Sequence, residues 1–527
     1  MRKLLTDISS RVSKPLFGFS AFTLVVAVFA FLKLITHILT AQGYGYFVDE
    51  FYAIDMSKHL DLNFIDVPPV APLLVAISRL LFGESLFAYH MFPALAGAAT
   101  LVFVCLITRE MGGRLFATAL SALGFIVAPM WLFVNSYFSY ECINHLSLAI
   151  FLYFLVRYIS TGNKKLWIRI GLMAGIAFMS KATILISGPG FLVALLATKH
   201  RKDLLTPWPW IAAGVFALVI SPWVIWEFIH HWPTIEYWSV HAKMFIKISI
   251  PQYFINIALT MNPMLIPLFA AGLYRIFRRF KDTSYIFFGI LFLVTAIVVY
   301  VLHTRVFELA HLFLPLLAAG AVFVEETLAR VKLLELRRAV GVVGCCCLLG
   351  SGVLEAPLWL PILPLDSLVS YSHTFAFLFK PVKDYNYDTT SPIPLYLSQR
   401  LGWEEMVQKV AEVYNRLPEE DRNEAVIYGS MFSTAGALNL YGPKYGLPTA
   451  TSGHLNYFLW GPGDKSWDVV VAAIAGNYPR GYAEYEMKDY SAIPYQVSFN
   501  RAEIWVFRKR QQGQTKEIIW DRLKYYW

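Results

Sequence analysis

Residues 44–69 read YGYFVDEFYAIDMSKHLDLNFIDVPP, and the reading of this stretch decides the fold. It follows a long apolar run, carries the adjacent carboxylates Asp49 and Glu50, and closes on Pro68-Pro69. Two carboxylates ahead of residues 51–60 suit a helix start, because the first turn of a helix favours negative charge. Adjacent helical positions point in different directions, so only one carboxylate of the pair should turn toward any one site. Asp66-Val67-Pro68-Pro69 should then leave as a stiff, extended segment, since a residue before proline avoids the α region.

Hydrophobic residues make up 57% of the 527-residue chain and charged residues 15%, with a mean hydropathy of +0.52. A soluble core cannot absorb that much apolar surface, so the composition predicts a polytopic α-helical membrane protein. A span needs roughly 20 mostly apolar residues. Candidate spans lie at 16–40, 86–108, 115–134, 143–159, 166–180, 183–198, 209–229, 253–277, 285–301, 309–324 and 339–360, about eleven by that criterion.

Alternate connections are basic: Arg2/Lys3/Arg11/Lys14, Arg109/Arg114, Arg157/Lys164/Lys165/Arg169, Lys199/Arg201/Lys202, Arg275/Arg278/Arg279/Lys281 and Arg330/Lys332/Arg337/Arg338. Cytoplasmic loops carry such excess, which places the loop at 41–85 outside, together with everything after 360. Residues 166–198 have basic flanks at both ends and so read as a hairpin bent near Lys181–Thr183, not as one helix. The first apolar run is longer than a secretory core and is read as a retained span. Cys345-Cys346-Cys347 fan around a helix and read as small apolar filler, not as a metal site.

The sequence YFVDE, a short helix, then IDVPPVAPLLVAISRLLFG resembles the first external loop of bacterial polyprenyl-phosphate-dependent glycosyltransferases. That group is similar to glycosyltransferase family 39, the protein mannosyltransferases, and to the lipid A aminoarabinose transferases, all of the GT-C fold. The resemblance implies that Asp49 is the catalytic residue. Many relatives read Arg-Asp-Glu, where this chain has Val48 before the pair. It further implies a polyprenyl-phosphate sugar donor, a glycolipid or protein acceptor, and an outward, periplasmic active face in a bacterial inner membrane. Membrane lipids are partners on this reading, and nucleic acid is not.

Other candidate residues follow along the chain. Relatives carry an acidic residue where Asn144 stands, while Glu141 lies one helical turn earlier on the same face. Glu141 either substitutes for it or favours the start of the next span. Lys181, in MSKAT, and Arg305, in HTRVFELAHLF, match basic positions of the family, which suits contact with a lipid phosphate and with charge growing on it. A lysine snorkelling to the interface is the plainer account of Lys181. Glu50, Asp66 and His231 are further candidates for substrate contact. His230-His231 could ligate a divalent metal, but no second cluster with ligand spacing accompanies them, and no cofactor is assigned.

From Pro361 the composition changes to 17 Lys/Arg against 18 Asp/Glu, a net of −1, so the positive charge of the chain (net +9) comes from residues 1–360, which carry +10. Apolar positions within 402–417 recur with a helical period, and 425–429, 468–474, 495–499 and 503–507 read as strands, giving a small α/β domain over 361–527. The segments AGALNLYGPKYGLP and SGHLNYFLWGPG extend the resemblance to the tail of the same transferases. A transporter would place its charges at the membrane midplane and show internal repeats, neither of which is seen. The expectation is therefore an inverting transferase with its catalytic centre over residues 1–360.

Overall fold

The computed structural model describes residues 20–278, 285–383, 391–475, 479–491 and 502–526. The basic residues Arg2, Lys3, Arg11, Lys14, Arg279 and Lys281 and the strand expected at 495–499 lie outside them.

The first part is helical: α1 (Ala21–Thr40), α2 (Val48–Lys58), α3 (Val70–Phe82), α4 (Leu86–Glu110), α5 (Leu115–Val127), α6 (Pro129–Val134), α7 (Tyr140–Thr161) and α8 (Leu166–Ser180). It continues as α9 (Ile184–Ala197), α10 (Pro207–Ile229), α11 (Pro233–His241), α12 (Ile250–Met261), α13 (Ile266–Arg278) and α14 (Ile286–Val301). A 3₁₀ segment, Val306–Leu312, leads into α15 (Phe313–Ala329), and α16 (Leu334–Trp359) ends this part.

Among the described residues, six helices are long and apolar enough to cross a membrane, or seven if α12 and α13 count as one bent span. Five further apolar helices, α3, α5, α8, α9 and α14, are shorter. The expected span at 253–277 is not continuous: α12 and the segment beginning at Pro263 meet at 98°. Asn262 precedes a proline and cannot stay helical; it adopts φ +77° and its Oδ1 accepts from Met264 N at 2.9 Å, starting the next segment. The span expected at 115–134 breaks for a similar reason, with Ala128 extended before Pro129.

The hairpin of α8 and α9 bends at Lys181–Thr183, as the charge pattern requires, and the far ends of its two arms are tied by Lys164 to Asp203 at 3.1 Å. Close helix crossings use small residues. At the α13–α15 crossing, a Cβ on Gly272 would lie 2.0 Å from Leu316 O, and one on Gly320 would lie 2.0 Å from Leu268 O.

Short helices α17 (Leu365–Thr374) and α18 (Leu395–Ser398) precede α19 (Trp403–Asn415) and α20 (Glu419–Glu424). Then come β1 (Val426–Gly429), α21 (Phe432–Tyr441), β2 (Ala450–Thr451), α22 (Asn456–Trp460), β3 (Val469–Ile474), β4 (Tyr482–Ser491), β5 (Ala502–Arg510) and α23 (Lys516–Leu523). The sheet order is β2-β1-β3-β5-β4, with β1 parallel to β2 and β3, and β5 antiparallel to β3 and β4. VIYG and VVVAAI are buried throughout, the pattern of central strands covered on both faces. The apolar stripe Trp403, Met406, Val407 and Val410 of α19 is buried as its period predicts. β4 was not evident in sequence because YAEYEMKDYS is rich in charge, as an edge strand tolerates.

Candidate active site

The two adjacent carboxylates take different roles from the first turn of α2 onward. Glu50 turns inward and is buried. Its Oε2 accepts from Phe47 N at 2.7 Å, closing the start of α2; its Oε1 accepts from Phe138 N at 2.7 Å and lies 2.9 Å from His90 Nε2. Burial opposes the charge of Glu50, but His90, Arg400 and the Phe138 N–H hold its carboxyl below the usual range. Arg400, from the tail, donates to Ser136 Oγ at 2.8 Å, beside this knot. Glu50 therefore fastens the first loop to the bundle and does not line the cavity.

Asp49 turns the other way, into a cavity of about 550 Å³ walled by α2, the segment at Asp66, the start of α7, the hairpin bend, α11, the Arg305 segment and residues from 379–383 and 391–399. Its half-buried carboxylate accepts no hydrogen bond from the described residues. Desolvation pushes its pKa up to about 6; Arg305 opposes that rise, while Glu141 and Glu50 add to it. Asp66 lies in the same wall, and burial, helped by the charge of Asp49, pushes its carboxyl up to about 7.

Lys181, Arg305 and Glu141 come together here, joined by Glu308, which the sequence reading did not place in the site. Lys181 Nζ donates to Glu141 Oε1 at 2.6 Å and to Glu308 Oε1 at 2.7 Å. Arg305 Nη2 lies 4.0 Å from Glu141 Oε1, and its guanidinium sits 5.3 Å from the Phe307 ring centroid. Lys181 is thus held between two carboxylates, which makes it a poorer phosphate ligand than its charge alone suggested. Asn144 is buried in α7 and does not line the cavity, whereas Glu141 does.

His231 is also outside the cavity. His231 and Trp232 adopt φ +62° each, and this left-handed corner turns the chain so that Tyr237, Trp238 and His241 of α11 line the cavity instead. Lys380 and Lys383 stand exposed at the rim with no ion pair among the described residues. They are not among the residues singled out in sequence, although KPVK is a visible basic pair at the start of the tail. No group of three or more His, Cys, Asp or Glu among the described residues is placed to hold a metal ion.

Residues 66–226 match the family described as dolichyl-phosphate-mannose-protein mannosyltransferase. In fold, the chain is similar to ArnT from Cupriavidus metallidurans bound to undecaprenyl phosphate, with 15% identity, 91% of this chain and 97% of that chain covered, and a TM-score of 0.56. The apo state of the same protein matches with 14% identity, coverage of 92% and 98%, and a TM-score of 0.56. No curated protein matches the chain in sequence. The family match and the shared GT-C membrane fold together indicate a glycosyltransferase.

Proposed function

We propose that this GT-C glycosyltransferase moves a sugar from a polyprenyl phosphate to an acceptor hydroxyl, with inversion, at the periplasmic face of a bacterial inner membrane. The observation that carries the reading is Asp49: a carboxylate facing a large cavity, without a hydrogen-bond donor from the described residues, across from Arg305. A general base has to keep its lone pairs available and sit within reach of the proton it removes.

In this mechanism the acceptor oxygen attacks the anomeric carbon while Asp49 takes its proton. The bond between that carbon and the phosphate oxygen breaks on the opposite side, and the electron pair leaves with the polyprenyl phosphate. The departing phosphate diester becomes a monoester that is already a weak base, so no general acid is required. Arg305 meets the phosphate at the inner end, and Lys380 and Lys383 meet it at the rim. Glu141 and Glu308 orient Lys181, which supplies local positive charge without being the main ligand. The fold shared with a protein that binds undecaprenyl phosphate supports a lipid-phosphate donor. The acceptor is a hydroxyl of a cell-envelope glycolipid such as lipid A, or of a protein as the matched family's description has it. The outward placement is supported by the alternation of basic connections.

The test is incubation of the purified protein with a radiolabelled polyprenyl-phosphate sugar and envelope glycolipid or protein fractions. Label arriving on an acceptor with release of polyprenyl phosphate, lost in Asp49→Asn, supports the reading. Donor recovered intact with every acceptor fraction overturns it, and movement of intact donor across vesicles would favour a carrier.

A further inference from the structure

The tail domain reaches into the first loop. α21 packs against α2 so closely that a Cβ on Gly436 would lie 2.8 Å from the Phe51 carbonyl carbon. Beside this contact, Asn456 at the start of α22 is fully enclosed. Its Oδ1 accepts from Tyr52 Oη at 3.0 Å and from Ile65 N at 2.8 Å, while its own N donates to Tyr52 Oη at 3.2 Å. Tyr52 lies three residues after Asp49 on α2, one turn along, and Ile65 immediately precedes Asp66. One amide of the tail domain therefore clasps both segments that carry the cavity carboxylates, across the intervening excursion at 59–64.

A neighbouring contact serves as a contrast. Tyr457 Oη and Asn439 Nδ2 both donate to Asp55 Oδ2, at 2.5 Å and 2.7 Å. This pair also fastens α2 to the tail domain, but it touches nothing next to Asp66.

We propose that Asn456 is a positioning residue: by bridging Tyr52 and Ile65 it fixes Asp49 and Asp66 relative to each other in the cavity wall, making the tail domain part of the catalytic centre. The inference rests on the glycosyltransferase reading above. Asp66 has one oxygen, Oδ1, with no partner among the described residues, and its carboxyl lies beside the Tyr52 hydroxyl. Asp49 and Tyr52 are the groups acting on Asp66, with Tyr237 acting in turn on Tyr52; Asp49 in turn feels Arg305, Glu141, Glu50 and Lys181. With Asp66 keeping its proton to higher pH than Asp49, the pair offers one donor and one acceptor to hydroxyls bound between them. Loosening the clasp separates the two carboxyls and relieves the rise that Asp49 imposes on Asp66.

The experiment compares full-length wild type, Asn456→Ala and Asn439→Ala in lipid nanodiscs by thermal melting, donor binding, and single-turnover transfer across pH. Asn456→Ala should lower the rate at saturating donor by about 10²-fold, the scale of an ångström-level misplacement. Its donor KM should stay near wild type, and the alkaline limb of its pH profile should move to lower pH. Asn439→Ala should lower the melting temperature and leave the profile in place. If Asn456→Ala does not fold, Asn456→Ser, which removes the amide Oδ1 with a smaller loss of volume, must shift the same limb. A wild-type profile in Asn456→Ala, or an unshifted profile with losses that merely track melting temperature, overturns the proposal. Absence of transfer by the wild type removes the parent reading, and this inference falls with it.

Discussion

Glu308 Oε1 lies 2.7 Å from Lys181 Nζ although the residues are 127 positions apart, and Glu141 Oε1 approaches the same ammonium to 2.6 Å. The site therefore holds its lysine in a three-member chain anchored on α7, the hairpin bend and the 3₁₀ segment before α15. Breaking a buried ion pair from one side leaves the other charge unpaired, which commonly costs about 3–5 kcal/mol.

Lys181→Ala should accordingly lower the melting temperature sharply, because two enclosed carboxylates then face one another. Lys181→Ala combined with Glu308→Gln should recover part of that loss. Arg305→Ala should raise the donor KM. Thermal melting with and without polyprenyl phosphate separates the cases. A large drop in donor affinity in Lys181→Ala at unchanged melting temperature would return Lys181 to direct phosphate contact.

Glu50→Gln should be a stability lesion. Glu50 meets the N–H groups of Phe47 and Phe138 and the His90 ring, so an amide NH₂ placed on either side opposes a donor. Leaving such a group unsatisfied costs about 1–3 kcal/mol. The protein that remains folded should still bind donor, and its rate per folded molecule should stay within a few-fold of wild type. A collapse of turnover at wild-type melting temperature would make Glu50 a catalytic group.

The parts of this architecture that were legible in sequence are those written locally. Paired carboxylates at a helix start announced α2, and basic flanks on both sides of 166–198 announced the hairpin at Lys181–Thr183. Continuous apolar runs announced β1 and β3. What stayed hidden depends on partners far along the chain. Nothing near Glu308 marks it as the mate of Lys181, and nothing near Asn456 marks it as the clasp of Tyr52 and Ile65. His231 drew notice through its neighbour His230, yet a left-handed corner turns it away and brings His241 to the cavity. The break at Asn262-Pro263 was readable from the dipeptide, but the apolar residues on both sides of it dominated the expected span.

The topology should place Ala182 outside and Lys164 inside. Single cysteines at these positions, in a background lacking the five native cysteines, report accessibility to an impermeant thiol reagent in intact cells. The Lys164–Asp203 pair puts both far ends of the hairpin together, so a cysteine near Lys202 should behave like one at Lys164. Labelling at Lys164 without labelling at Ala182 would invert the assignment.

The pH dependence should be bell-shaped, because Asp49 must be ionised to accept a proton while Asp66 is useful as a donor only when protonated. Burial raises both carboxyls, Asp49 to about 6 and Asp66 to about 7. The rate at saturating donor should fall as pH drops through the Asp49 value and fall again as pH rises through the Asp66 value. Asp49→Asn should reduce the rate by about 10²–10⁴-fold with donor binding retained, since the phosphate contacts remain. Asp66→Asn keeps a hydrogen-bond donor at all pH values, so it should abolish the alkaline limb while leaving the acid limb in place. The same shifts have a stability consequence of opposite sense to a salt-bridged aspartate. The folded protein binds these protons more tightly than the unfolded chain, so their contribution is full below about pH 4 and lost as pH rises through about 7. Single-turnover transfer from pH 5 to 9, alongside melting at each pH, checks both statements. A rate independent of pH across this range, with Asp49→Asn near wild type, would end the carboxylate-base mechanism for this cavity.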